Sequence, residues 1–417
     1  MEILSTGEKI KRARIYKGYT LKDICGDKVS VSKMSCIEND KVKPEEWVLE
    51  FVADKLKIEH KYIKQDVREQ IIINIKTIEK NKNHVEYLKK LEYNLGFSEV
   101  YKYYDLSFEI MHLIFNYYIE SNQIEKLQSI SSKYYDFYQK SSIDDNQITY
   151  YMDNARSLYN NKEFLQAANY YNNVIKTSND KKEYLTLAKA TYNEAACYVM
   201  VENYEKAYDI AVKLETLVEY LDGDIKKAEA YQMLAMLSLR MDKDKFDEYE
   251  IKSYELYGLD FAHKAYAIYN FAVGMFSIGL REKAIEYIKR SLECYPKDNK
   301  KELVNFMLII VDELIESEEL NLSKSICDET LDNSINLDNI VFIEKAYYFK
   351  ALILQAQDNG NSPEMYMNLS LDSLVKFGTK QDIYTRYMEM GYMYYKLKST
   401  SESIKYFSLA LSLEKKI

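Results

Sequence analysis

Glycine and proline are scarce in this chain of 417 residues, which contains only 11 glycines and 3 prolines. These two residues form most of the tight turns between short β-strands, so their scarcity excludes an all-β fold. The chain is instead rich in lysine, glutamate, leucine, alanine and tyrosine, most of which favour helices. The composition therefore predicts an all-α protein.

The chain also lacks the motifs that catalysis and metal binding require. Its four histidines are far apart, and none has the H-x-x-H or H-E-x-x-H spacing of a metal site. No phosphate-binding glycine loop, dinucleotide fingerprint or G-x-S-x-G nucleophile motif occurs. We therefore expect no enzymatic activity, no metal and no cofactor.

Membrane and export signals are missing as well. No apolar run approaches the length of a membrane-spanning helix, and the N-terminus, with Glu2 and Glu8, has no signal-peptide core. The five cysteines are odd in number and widely scattered, which favours reduced thiols. We expect a soluble cytoplasmic protein with no membrane partner.

Charge is distributed unevenly along the chain. The net charge is −9, yet residues 1–43 hold ten Lys/Arg and six Asp/Glu and are therefore +4, which leaves −13 for the remainder. A basic N-terminal segment on an acidic body suits a segment that meets phosphates and a body that meets another partner. A plain solvated surface would also carry four charges.

Two short helix patterns flank a glycine-containing turn in residues 20–44, TLKDICGDKVSVSKMSCIENDKVKP. Thr20 is a predicted N-cap, with Asp23 three residues later in capping-box position. Ser30 is the predicted N-cap of the next helix, whose Met34 and Ile37 point inward. A first helix precedes them, and a fourth should close the core with Trp47, Leu49, Phe51, Val52 and Leu56.

These features resemble the helix-turn-helix domain of the lambda-repressor-like (XRE) family. The resemblance rests on the G-x-x-I-K-x-x-R opening, the T-L-x-D-I-C helix, the V-S-V-S-K-M-S-C-I-E-N helix and a lysine-rich exit to proline. The turn between Cys25 and Val29 is shorter than is usual for that family. The resemblance implies a DNA-binding domain over residues 1–64, whose second motif helix enters the major groove.

The resemblance also implies which side chains meet DNA. Helix side chains would meet base edges while lysines and amides hold the backbone, and Val31 would suit a thymine methyl group. The implied base-facing residues are Val31, Ser32 and Cys36, the phosphate contacts are Thr20, Lys33, Asn39 and Lys41, and Ser30 and Lys43 flank them. Each lysine could instead lie on a solvated face.

Residues 65–417 repeat with a period near 40 residues. A small or apolar residue marks each predicted first helix, and a second helix has its own crossing residue twelve positions later, Asp247 and Ser325 among them. Residues 359–363 form an insertion in the eighth unit. The first-helix markers are Ile75, Phe115, Ala155, Ala195, Ala235, Ala272, Glu313, Ala351 and Gly391.

These units resemble tetratricopeptide (TPR) repeats, although the period exceeds the usual 34 residues. The resemblance implies a right-handed α-solenoid of roughly nine helical pairs whose first helices line a concave inner surface. Such a surface suits an extended peptide, held by amide, tyrosine and methionine side chains. The candidate peptide-binding residues are Met152, Arg156, Tyr192, Asn193, Gln232, Met236, Tyr269, Asn270 and Tyr392.

The two resemblances together point to the Rap–Rgg–NprR–PlcR–PrgX (RRNPP) group of peptide-sensing quorum regulators. Membership implies a cytoplasmic transcription factor, an expected homodimer on a palindromic double-stranded DNA operator, whose repeats bind a short signalling peptide and mediate dimerisation. The alternative is a TPR protein-interaction switch that binds or inhibits a partner such as a response regulator, with a weak or non-functional DNA-binding head. Peptide identity, operator sequence and the direction of regulation stay open.

Overall fold

The computed structural model describes residues 2–82, 84–241, 243–357 and 363–414. Within these ranges the chain forms α-helices and short 3-10 helices and no strand, which confirms the predicted all-α class. The chain divides into two compact units, residues 1–220 and residues 221–417. Each unit is described separately below.

The first unit contains thirteen helices in chain order. Two 3-10 helices, Val212–Thr216 and Val218–Tyr220, follow them. The helices are α1 (Thr6–Tyr16), α2 (Leu21–Cys25), α3 (Val31–Glu38), α4 (Glu46–Leu56), α5 (His60–Lys64), α6 (Val67–Glu79), α7 (Tyr87–Val100), α8 (Tyr104–Glu120), α9 (Ile124–Lys140), α10 (Ile143–Asn160), α11 (Phe164–Lys181), α12 (Tyr184–Met200) and α13 (Tyr204–Ala211).

The second unit continues the pairing of long helices, with one 3-10 helix at Lys243–Lys245. Its α-helices are α14 (Asp224–Met241), α15 (Phe246–Tyr257), α16 (Phe261–Ser277), α17 (Arg281–Cys294), α18 (Lys300–Glu316), α19 (Leu320–Asn336), α20 (Ile340–Gln357), α21 (Pro363–Leu374), α22 (Lys380–Lys396) and α23 (Thr400–Glu414). Of the predicted insertion at residues 359–363, residues 359–362 lie outside the described residues, and Pro363 is the first residue of α21. None of the described helices combines the length and apolarity needed to cross a bilayer.

Helices α1–α5 enclose a hydrophobic core of their own; we call residues 1–64 the head. Met34 and Ile37 of α3 are fully buried in this core, as predicted. The expectation that Trp47 belongs to the core is wrong. Its side chain is 42% exposed, and its indole Nε1 donates to a carboxylate oxygen of Glu45 at 2.7 Å. The neighbouring Val48 is buried in its place.

The start of α1 lies directly against the end of α3. The backbone N–H of Gly7 donates to Asp40 Oδ1 at 3.0 Å, and the Ser5 hydroxyl bonds to the other carboxylate oxygen. A Cβ atom at Gly7 would lie 2.3 Å from the carbonyl oxygen of Ile37. Only glycine permits this approach, so the G-x-x-I-K opening has a packing reason.

A short N-terminal strap ties the head to α6 and α7. Ile3 is 1% exposed and packs into the core of the first repeats rather than that of the head. The Gln70 side chain accepts from Leu4 N at 3.2 Å and donates to Leu4 O at 2.9 Å. The buried Lys9 ammonium donates to the carbonyl oxygens of Tyr62 at 2.8 Å and Gln65 at 2.7 Å. Because these contacts are buried, the head is held at both of its ends.

The repeat markers of the first unit are confirmed as packing positions. Ile75 and Phe115 are each 1% exposed, and Ala155 and Ala195 are fully buried. In the second helix of each pair, buried side chains recur at intervals of three and four residues, as in Ala207, Ile210 and Ala211 of α13. This spacing places one apolar stripe against the preceding helix.

Three crossing residues of the second unit differ from the prediction, two of them in the pair α18 and α19. Glu313 is half-buried, whereas Val311 is fully buried and its carbonyl oxygen accepts from Ser323 Oγ at 3.3 Å. In the last pair Ser403 Oγ donates to the carbonyl oxygen of Gly391 at 2.9 Å, the same arrangement. The true crossing residues are therefore Val311 and Ser323, not Glu313 and Ser325.

The pair α14 and α15 contains the other difference. Asp247 is exposed, while its neighbour Phe246 is 2% exposed and packs edge-to-face on Phe271 with ring centroids 5.3 Å apart. A charged residue would lose its hydration at this buried crossing, so the chain places the aromatic residue there.

Candidate functional site

The predicted caps of α2 and α3 are present. The backbone N–H of Asp23 donates to Thr20 Oγ1 at 3.3 Å, and that of Lys33 donates to Ser30 Oγ at 3.1 Å. The hydrogen bonds from Thr20 also lower the pKa of the Asp23 carboxyl. Gly26 ends α2 at φ 51° and ψ −141°, a conformation that glycine alone adopts readily. These local signals fix the angle at which α3 leaves the turn.

The solvent-facing side of α3 carries part of the implied DNA-binding set. Val31 is 45% exposed, Ser32 is exposed, and Cys36 is partly buried. Asn39 is exposed, but its side-chain Nδ2 donates to Ser35 O at 2.7 Å. A hydroxyl and an isopropyl group are thus the α3 groups most open to a base edge.

Lys33 has internal partners. Its ammonium lies 2.8 Å from Glu45 Oε1 and 5.8 Å from the centre of the Trp47 ring. The bonds from Lys33 and then Trp47 lower the pKa of Glu45, which keeps that carboxylate charged beside the lysine. Lys41 and Lys43 are exposed, and neither has an ion-pair partner among the described residues. Among the lysines implied to contact DNA, these two therefore keep a charge available for a phosphate.

A cavity of about 460 Å³ opens on the first helices of the first unit, between α6, α8 and α10. Arg156, one of the predicted peptide-binding residues, lines it together with His112 and Asn116. Arg156 Nη1 donates to Asn116 Oδ1 at 2.5 Å. No carboxylate of the described residues lies within ion-pair distance of this half-buried guanidinium. An unpaired arginine in a partly desolvated cavity favours an anionic ligand group.

Asp153 holds the floor of this cavity in place. It is 2% exposed and accepts from Tyr134 OH at 2.7 Å and Asn116 Nδ2 at 3.3 Å, while His112 Nδ1 lies 2.6 Å from its Oδ2. Burial and then the Asp153 charge raise the pKa of Tyr134 well above its usual range, so its hydroxyl stays a donor. The network fixes the side chains of His112 and Asn116 before any ligand arrives.

His112 and Asn116 were not among the sequence candidates. Asn116 follows the marker Phe115 by one residue, and Arg156 follows Ala155 by one residue. The rule that selected Arg156 therefore selects Asn116 when it is applied one repeat earlier, and His112 lies one helical turn before Asn116. The sequence signal that would have identified these two residues is the alignment of successive repeats.

The other peptide-binding candidates fall into two groups, one in each unit. In the first unit Met152 lies one turn before Arg156 on α10, while Tyr192 and Asn193 are half-buried on α12. In the second unit Gln232, Met236, Tyr269 and Asn270 are half-buried and Tyr392 is 58% exposed.

Gln232 and Tyr392 are among the second-unit candidates that have internal partners. Gln232 Oε1 accepts from Tyr257 OH at 2.8 Å, so its amide oxygen is already used. Tyr392 packs edge-to-face on Phe407, with ring centroids 5.2 Å apart. Both residues also support their own helix pair, which makes them less suitable than Asn193 and Asn270 for a substitution that tests binding.

The head contains a group of possible metal ligands. Ligand atoms of Glu46, Glu50 and His60 lie within 4.8 Å of one another. However, the Lys64 ammonium is 2.7 Å from Glu46 Oε1, and it already supplies a cation to that carboxylate. We assign no metal to this cluster.

No protein-family model and no curated protein sequence matches the chain. Among solved structures, the apo form of the quorum sensor NprR from B. thuringiensis is 16% identical with a TM-score of 0.44, and the match covers 84% of this chain and 100% of that one. Aspartyl phosphate phosphatase F from Bacillus subtilis is 12% identical with a TM-score of 0.41, over 99% and 96% of the two chains.

PlcR from Bacillus thuringiensis, solved in complex with the peptide PapR7 and DNA, is 16% identical with a TM-score of 0.26, over 63% of this chain and 97% of that one. Identities and scores as low as these three do not assign a function, so the function has to be argued from the residues of this chain.

Proposed function

We propose that this chain is a DNA-binding transcriptional regulator whose TPR-like repeats sense a short signalling peptide, as in the RRNPP group. The head is an XRE-type helix-turn-helix domain that presents α3 to the major groove, and the repeats extend over residues 65–417. The protein acts in the cytoplasm as a homodimer, because one small head gives weak specificity and two heads read two half-sites.

The observation that carries the proposal is the buried connection between the head and the ligand cavity of the first unit. The strap at Ile3 and Leu4 joins the head to α6 through Gln70. Helix α6 in turn contributes Glu79 to the cavity that Arg156 lines. A ligand that favours one arrangement of α6, α8 and α10 would therefore favour one position of the head.

Such coupling has a thermodynamic condition. The peptide must bind one arrangement of the repeats better than the other, because equal affinity for both shifts nothing. Arg156 supplies a means, because it has no ion-pair partner among the described residues and its guanidinium can exchange the Asn116 oxygen for an anionic peptide group. Exchange of this bond would release Asn116 and alter its contact with His112.

The DNA-binding part of the proposal is tested by removing the two free lysines. Lys41→Ala with Lys43→Ala should weaken binding to the DNA upstream of the gene, and should reduce the salt slope by about 1.8 because two phosphate contacts are lost. The matched control replaces two exposed lysines of the repeats, Lys89→Ala with Lys126→Ala. Fluorescence anisotropy over a salt series measures both effects. A wild-type protein that binds no upstream fragment at low salt would refute DNA binding.

The sensing part is tested on the same DNA assay. A library of short synthetic peptides with free C-terminal carboxylates should contain members that change DNA affinity in the wild type, and Arg156→Gln should remove that response while leaving binding without peptide unchanged. Asn193→Ala and Asn270→Ala test the rest of the predicted peptide surface. An unaltered peptide response in all three variants would contradict this placement of the sensor.

One observation favours a second function. The Lys33 ammonium is neutralised by Glu45, and neither Val31 nor Cys36 can form a bidentate bond to a base. A head with this surface could serve as a structural cap on repeats that bind or inhibit a response regulator. Recovery of a response regulator on the immobilised chain, released by peptide, together with no DNA binding, would favour this function.

A further inference from the structure

A second cavity, of about 550 Å³, lies in the second unit on the first helices α18, α20 and α22. Four carboxylates line it, those of Asp312, Glu344, Asp382 and Glu389, against two basic side chains. No residue of the predicted peptide-binding set lines it. The side chains that line this cavity therefore carry more negative than positive charge.

The buried arginine of this cavity is fully occupied by the protein itself. Arg386 is 8% exposed; its Nη1 donates to Glu344 Oε1 at 2.8 Å and also to Ser370 Oγ, and its Nε donates to Glu389 Oε2 at 2.9 Å. The guanidinium carbon lies 3.9 Å from the centre of the Tyr348 ring. Two carboxylates and an aromatic face therefore hold Arg386, which leaves it little capacity for an external anion.

The negative charge that is left over lies at the mouth. Asp312 is exposed and has no ion-pair partner among the described residues. Burial raises the pKa of Glu313 on the same helix and of Tyr348 on α20, and the Asp312 charge is the smallest contribution in each case, after Glu316 for Glu313 and after Glu389 for Tyr348. Repulsion among these groups is relieved when a cation binds beside Asp312.

The remaining walls are apolar and aromatic. Phe342 and Phe349 of α20 and Leu308 of α18 line the cavity, and Phe377 at its rim is 40% exposed. The other cation, Lys345, lies with its ammonium 6.0 Å from the Phe349 ring centre. Aromatic faces beside carboxylates form a site for an organic cation with an apolar stem.

We propose that this cavity binds a lysine or arginine side chain of a short peptide, with the cation against Asp312 and the stem along Phe342. That the occupant is a peptide rests on the proposed function; that it is cationic rests on the cavity alone. Because Arg386 already pairs with Glu344 and Glu389, a glutamate-bearing peptide would meet chiefly the unpaired carboxylate of Asp312, and like-charge repulsion disfavours it here.

The experiment uses the full chain and three synthetic peptides of one design, Ac-Leu-Lys-Leu-NH2, the same peptide with norleucine in place of lysine, and the same peptide with glutamate. Calorimetric titration should show the lysine peptide binding at least tenfold more tightly than the norleucine peptide, and no binding of the glutamate peptide. Asp312→Asn should remove most of the preference for lysine. The control Asp332→Asn, an exposed aspartate on α19, should keep it.

Two results would overturn the proposal. Equal affinity for the lysine and norleucine peptides, or a preference for lysine that survives Asp312→Asn, would show that the cavity does not read the cation. Spermidine that binds as tightly as the lysine peptide and competes with it would show that the site takes a free amine and not a peptide. DNA binding by the head plays no part in these measurements, so failure here and failure of the regulator proposal are distinguishable.

Discussion

The contact between α1 and α3 gives the sharpest test of how the head is built. Gly7→Ala places a methyl group where the structure leaves 2.3 Å to Ile37 O and 2.7 Å to Asp40 Oδ1. The carbonyl oxygen would have to retreat by about 0.7 Å to reach even the 3.0 Å lower limit of real Cβ contacts. Because Asp40 holds both Gly7 N and the Ser5 hydroxyl, the movement separates α1 from the end of α3.

The magnitude follows from the terms involved. Overpacking of a close contact costs about 1–3 kcal/mol, and each weakened hydrogen bond about 0.5–1.5 kcal/mol. Alanine recovers up to about 1 kcal/mol by restricting the unfolded chain. We therefore expect a loss of about 2–3 kcal/mol in the unfolding free energy of the head, a large part of the stability of so small a core.

Trp47 makes the measurement local, because it is the only tryptophan and lies in the head. Urea unfolding of the full chain, followed by tryptophan fluorescence, should show an earlier head transition in Gly7→Ala, while circular dichroism of the repeats changes little. The matched control is Gly96→Ala, since Gly96 lies inside α7 and a Cβ there meets nothing within 4 Å. It should leave the head transition unchanged. A Gly7→Ala head as stable as the wild type would refute the close-approach argument.

Two further predictions concern titratable groups. Burial raises the pKa of Cys197 and of Cys327 to about 12, so about 10⁻⁴ of each thiol is ionised at pH 8. Mass spectrometry after alkylation of the native chain should therefore find Cys36 and Cys294 labelled first. Early labelling of Cys197 would contradict this packing. Burial raises the pKa of Glu313; the hydrogen bond from Ser317 opposes it as the second-largest effect, and the Glu316 and Asp312 charges raise it further. The folded chain thus holds this proton more strongly than the unfolded chain, and its contribution to stability falls as pH rises through the folded pKa. Glu313→Gln should therefore raise the free energy of unfolding at pH 7 by on the order of 0.5 kcal/mol, seen as a higher thermal midpoint. The gain should vanish near pH 4, and a gain that persists there would rule out a charge effect.

The head was predictable from the sequence because its signals are local. Thr20, Asp23 and Ser30 cap helices within three residues of themselves, and the structure confirms each bond. Trp47 was misplaced because burial depends on partners that the local pattern does not show. Its apolar ring suggested the core, yet the carboxylate of Glu45 and the ammonium of Lys33 hold it at the surface.

The strap was not predictable for a similar reason. Ile3 and Leu4 precede the first helix pattern, and nothing near them in sequence identifies Gln70 as their partner. A buried side-chain amide that pairs with both backbone groups of Leu4 is a long-range contact, and it is set by how the head packs on α6. Sequence periodicity describes faces of helices and gives no such pairing.

The ligand surface depends on register more than on residue type. Packing fixes the crossing residue of each repeat and leaves the next residue free to vary. In four of the repeats this next residue is Asn116, Arg156, Met236 or Asp312. With Glu313 as the marker, the corresponding position would be Leu314, which is fully buried, and the acidic cavity would have no sequence signal. The bond from Ser323 to Val311 O corrects the register by two residues and brings Asp312 to the surface. An error of two residues in one degenerate repeat thus hides the acidic cavity proposed above as a binding site, while it leaves the predicted fold class intact.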